Sequence, residues 1–113
     1  MKQVLNLTSN ARQTMQLQIE NGNTATFNLY YNPTQYAWYF DLIYNDYEIY
    51  GSKVVLHPNI IRQQRNILPF GIAFLAKGNV EPFSIDDFEN ERVRMFILTQ
   101  DDVNTTEEYI YNG

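Results

Sequence analysis

The sequence predicts a single all-β domain, 1–113, built as a small barrel or a strongly curved antiparallel sheet with a short C-terminal helix. Three observations predict it: strict alternation around residues 24–44, turn chemistry between alternating runs, and an excess of residues that favour strands. Ala25, Phe27, Leu29 and Tyr31 alternate with Thr24, Thr26, Asn28 and Tyr30, a period of two that marks a strand with one buried face. After Asn32-Pro33-Thr34-Gln35 the return strand carries Trp38, Phe40, Leu42 and Tyr44 on one side and Ala37, Tyr39, Asp41 and Ile43 on the other. Bulk on both sides predicts an interior strand covered on both faces.

Taken in order, residues 3–7 read as a short strand and 6–11 as a polar turn. Met15, Leu17 and Ile19 alternate with Gln16, Gln18 and Glu20, so 13–20 is an amphipathic strand. Asn21-Gly22-Asn23 closes it, since Asn and Gly tolerate the positive φ of a tight hairpin. Strands 24–31, 36–44 and 47–50 continue the meander, with Asn45-Asp46 joining the last two. Gly51 and Ser52 break the run, and 53–56 reads as a further strand ended at Pro58, which has no amide to donate. Residues 60–66 read as one or two helical turns capped by Asn59. Residues 72–75 and 93–98 are strands, and 81–88 is a loop anchored by Phe83, Ile85 and Phe88. A final helix, capped by Asp101 or Asp102 and with Thr105 and Glu108 as a capping box, runs to Tyr109 or Ile110 and stops at Asn112-Gly113.

At 113 residues the chain buries roughly two-thirds of its unfolded surface without staples. It contains no cysteine, so disulfides and thiolate metal sites are absent. A net charge of -5 disfavours a general electrostatic grip on nucleic acid or anionic membrane. No segment reaches the roughly 20 apolar residues of a bilayer span, and the first residues lack a signal peptide's apolar stretch. A soluble protein made in the cytoplasm is expected.

Catalytic chemistry finds little support. His57 is the one histidine, which excludes a multi-histidine zinc site, and the five glycines are too scattered to cradle a phosphate. The acidic pairs Asp86-Asp87, Asp101-Asp102 and Glu107-Glu108 could offer oxygen to a cation, but lack EF-hand spacing and fit loops or helix N-termini, where carboxylates cap free N–H groups. No enzyme activity, cofactor or metal is expected. Arg62 and Arg65 project from one side of a helical turn, either as an internal clamp on Asp41, Asp86 or Asp87 or as an intersubunit contact. Nine tyrosines, concentrated on three consecutive strands, suit either a core or an interface.

Tyr31-Asn32-Pro33-Thr34, Trp38-Tyr39-Phe40-Asp41, the run from Pro58 to Ile72, Ile85-Asp86-Asp87-Phe88 and Leu98-Thr99-Gln100-Asp101-Asp102-Val103 together resemble the bacteriophage baseplate plug family. The resemblance spans about 17–111, and residues 1–15 depart most from it. It implies a structural protein of a phage or prophage tail, located in the virion baseplate near the hub. Its expected partners are other baseplate or hub proteins, or copies of itself in a trimer on the tail axis. Trp38, Tyr39, Asp41, Arg62, Arg65, Asp86 and Asp87 are the candidate interface or clamp residues. A carbohydrate-binding domain, with Trp38 and neighbouring tyrosines stacked on sugar rings, is the alternative.

Overall fold

The computed structural model describes residues 1–19 and 21–112, with 109–112 by backbone alone. The expected strand residue Glu20 and the stop at Gly113 lie outside the described residues. The strands are β1 (Lys2–Gln3), β2 (Arg12–Gln18), β3 (Thr24–Asn32), β4 (Ala37–Tyr44), β5 (Tyr47–Lys53), β6 (Gly71–Ala76) and β7 (Val93–Leu98), followed by helix α1 (Gln100–Asn112). They form two antiparallel sheets, ordered β2-β3-β4-β5 and β1-β7-β6. The sheets are not closed into a barrel.

Local turn chemistry makes the four-stranded meander. Gly22 at φ 89° lets its N–H reach the Ile19 carbonyl at 3.0 Å, closing β2 onto β3. The Asn32 side chain accepts from the Thr34 and Gln35 amides, and Tyr36 takes φ 52°, so β4 begins at Ala37 rather than at 36. Asn45 at φ 52° makes the third turn, between Tyr44 and Tyr47.

Two expectations fail for non-local reasons, and a third holds only in part. Residues 3–7 do not enter the meander: only Lys2 and Gln3 form a strand, and they pair with Ile97 and Phe96 of the other sheet. Gly51 does not end β5; the register shifts between Phe40 and Leu42, and the strand passes through a bulge to Lys53, so 53–56 is no separate strand. The turns over 60–66 shrink to a 3-10 segment at Arg62–Gln64 whose cap residue is Ile61, without a side-chain cap bond.

The sheets pack face to face. Phe27, Leu29, Phe40 and Leu42 from one meet Ile72, Phe74, Val93 and Met95 from the other in one core. Trp38 meets Phe88 edge-on at 5.1 Å, Phe74 meets Phe88 at 5.8 Å, and Tyr44 meets Phe70 at 5.3 Å. The opposite side of the three-stranded sheet is covered in part by α1, where Val103 joins Ala73, Leu98 and Phe96, while Leu75 and Arg94 stay exposed. It is the first part of β6, residues 71–74, that is therefore buried on both faces. β4 is interior as expected, yet its outward Tyr39, Asp41 and Ile43 are only half-buried. A reciprocal box starts α1: Thr99 Oγ1 accepts from the Asp102 amide, and Asp102 accepts from the Thr99 amide, both at 3.1 Å. The expected box of Thr105 and Glu108 is replaced by this earlier one.

Candidate docking surface and its internal clamps

The loop between β6 and β7 carries the most elaborate polar construction in the molecule. Asp87, 2 % exposed, accepts from the Phe83 and Ser84 amides at 2.7 and 2.8 Å. Its carboxylate meets the Arg92 guanidinium as a fork, with Nε to Oδ1 and Nη2 to Oδ2 both at 2.8 Å. Arg92 also donates to the Val80 and Glu81 carbonyls at 2.8 and 3.0 Å. Burial alone would raise the Asp87 pKa, but the Arg92 hydrogen bonds and the two backbone donors outweigh it and hold the carboxyl below its ordinary value. The same carboxylate raises the pKa of Arg92.

This clamp displays an apolar residue. The Phe83 ring stays 51 % exposed with the Arg92 guanidinium 4.9 Å from its centroid, and Val80, beside it on the same loop, is equally open. The base of the loop is tied to the four-stranded sheet: Tyr31 Oη donates to the Phe83 carbonyl at 2.7 Å and Trp38 Nε1 to the Ser84 carbonyl at 3.0 Å. An exposed ring on a loop fixed at its base and across its width is preorganised for contact with another surface.

Arg62 and Arg65 converge on one carboxylate. Arg62 Nε lies 2.7 Å from Glu107 Oε2 and Arg65 Nε 3.2 Å from Glu107 Oε1, so the 3-10 segment is tied to α1. Arg65 Nη1 also donates to the Arg62 carbonyl at 3.0 Å. The carboxylates expected to hold them are engaged elsewhere. Asp41 accepts from Tyr30 Oη at 3.1 Å and from the Gly51 amide at 2.9 Å, which pins the β5 bulge; Asp86 accepts from Ser9 Oγ at 2.8 Å.

The remaining candidates divide between core and surface. Trp38 is fully buried, with Tyr31 and Phe88 against its ring, which removes it from the sugar-stacking reading. Tyr39 is half-buried, stacks on Tyr30 at 6.2 Å and hydrogen-bonds Gln35. Sequence reasoning missed Arg92 and read Glu107 only as part of an acidic pair. The Asp87-to-Arg92 spacing across Glu89-Asn90-Glu91 was the available signal, since a polar turn can fold a carboxylate onto a guanidinium five residues on. Among the described residues no three His, Asp or Glu side chains gather as a metal site, and no helix is long and apolar enough to cross a membrane.

The comparison with known proteins fits a surface of this kind. No curated protein gives a significant match to the chain. A family model described as the cyanophage baseplate Pam3 plug gp18 matches residues 1–101, which includes the first fifteen residues that the sequence resemblance left aside. That match covers every strand of both sheets and identifies the chain as a member of the phage baseplate plug family, a structural component of the tail.

Proposed function

We propose that this chain is a non-enzymatic structural part of a phage or prophage tail baseplate that plugs or braces the hub below the tail tube through protein contacts. The family match over residues 1–101 carries this reading. The clamped loop gives it a physical basis, because Phe83 and Val80 stand exposed on a support that loses little conformational entropy on docking. The partner is a neighbouring hub or baseplate protein, and synthesis takes place in the host cytoplasm before assembly into the virion.

Phe83→Asp tests the reading. The substitution lies on an exposed ring, so the purified variant is expected to fold and melt close to the parent while its incorporation into purified tails falls at least tenfold. A folded variant that enters tails at the parental level would contradict docking through this loop. A folded parent missing from the tails altogether would contradict the baseplate role itself.

A further inference from the structure

The edges of the two sheets are managed differently. β5 is bent at its edge by the Gly51 bulge, β1 is two residues long, and β6 is covered by the segment before it, where His57 bridges Phe74 and the Ile60 amide donates to the Ile72 carbonyl at 2.7 Å. β2 has none of these protections. Among the described residues, its seven positions run without bulge, proline or covering loop along the end of the four-stranded sheet.

The direction of its free backbone groups follows from its ends. The Ile19 amide donates to the Asn23 carbonyl and the Ala11 carbonyl accepts from the Tyr31 amide, so odd-numbered residues bond inward to β3. Antiparallel alternation then turns the N–H and C=O of Arg12, Thr14, Gln16 and Gln18 outward. The side chains of these four residues are exposed as well.

We propose that this edge pairs with the same edge of a second copy, antiparallel, about a two-fold axis through Met15. Centring there sets Thr14 opposite Gln16 of the second copy and Arg12 opposite Gln18, and each of these pairs brings outward donors and acceptors together. The Thr–Gln pairing repeats one that the protein already makes: Gln16 faces Thr26 across β2 and β3, with Gln16 Nε2 donating to Thr26 Oγ1 at 3.0 Å. Charge permits this occupant. The chain has thirteen acidic residues and a net charge of -5, yet none of the acidic residues lies between Arg12 and Gln18, so two copies meet here without facing carboxylates. The result is one continuous sheet through both copies.

A two-fold pair differs from the threefold arrangement that the family resemblance implies, and it stands or falls independently of the baseplate role. Light scattering over a dilution series, with hydrogen exchange at Thr14 and Gln16, tests it. The expected species has twice the 13.3 kDa chain mass and slowed exchange at both amides. Thr14→Pro removes an outward N–H while leaving the β2–β3 ladder intact, and is expected to give a folded monomer. Should that variant fail to fold, Thr14→Lys with Gln16→Lys places like charges opposite each other across the axis and is expected to give the monomer instead. A monomeric or trimeric parent would overturn the proposal. So would a dimer with rapid exchange at Thr14 and Gln16, or one that survives in the folded test variant.

Discussion

Two loops of this protein are each fixed by arginine and carboxylate, and they differ in what the ion pair must do. In the β6–β7 loop, Asp87 sits in the core and supplies acceptors to two amides and to a forked Arg92. In the loop after β5, Glu107 joins Arg62 and Arg65 near the surface, with each arginine side chain about 30 % exposed. That second loop has another anchor. Asn59, 1 % exposed, accepts from the Ile61 and Ile72 amides and so stitches the segment to β6. The contrast teaches that a buried carboxylate organising backbone donors is structural in a way that a surface pair is not.

The largest expected effect is at Asp87. Asp87→Ala leaves two amides without their acceptor and takes the forked carboxylate from the partly buried Arg92, which keeps only the Val80 and Glu81 carbonyls, and is expected to cost about 3–5 kcal/mol, as urea unfolding would measure. A loss below about 1 kcal/mol would place the loop's rigidity elsewhere. Next is Gly71→Ala, which tests the anchor of the other loop. A Cβ there would lie 2.8 Å from Asn59 Oδ1, which its two amide bonds hold in place, so a loss of about 1–3 kcal/mol is expected. Glu107→Gln is expected to cost only about 1 kcal/mol, and high salt should shrink that difference while leaving the Asp87 effect nearly unchanged.

Acid sharpens the same comparison. The folded pKa of Asp87 is depressed, so its contribution is complete above the ordinary aspartate value of about 3.9 and is lost as pH falls through the lower folded value. The stability gap between parent and Asp87→Asn is therefore expected to be constant near neutrality and to close in strong acid. A gap that closes at neutral pH would contradict the assignment.

Much of the four-stranded sheet was legible because its turns are local. Asn21-Gly22-Asn23 and Asn45-Asp46 reach positive φ through their own side-chain and backbone chemistry, and the alternation of Phe27, Leu29, Phe40 and Leu42 marks the buried face directly. In the second sheet the strands expected at 72–75 and 93–98 stand as β6 and β7, but the strand that joins them at the edge was not legible. β1 is short and meets β7 across almost the whole chain, so no nearby residue announces the pairing. Gly51 reads as a breaker until Asp41 is seen holding its amide. At the candidate site, Asp87 stood out as half of an acidic pair, but its burial and its bond to Arg92 depend on Phe88 and Val93 folding into the core. The partners of Arg62 and Arg65 were missed because Glu107 comes within reach only after α1 docks on the three-stranded sheet.

Cross-linking of intact, purified tails followed by mass spectrometry tests the account most directly. The chain is expected to be present and to give cross-links from Lys77, which adjoins the clamped loop, to a hub or baseplate protein. Tails that contain every other baseplate protein but lack this chain would contradict a structural place in the assembly.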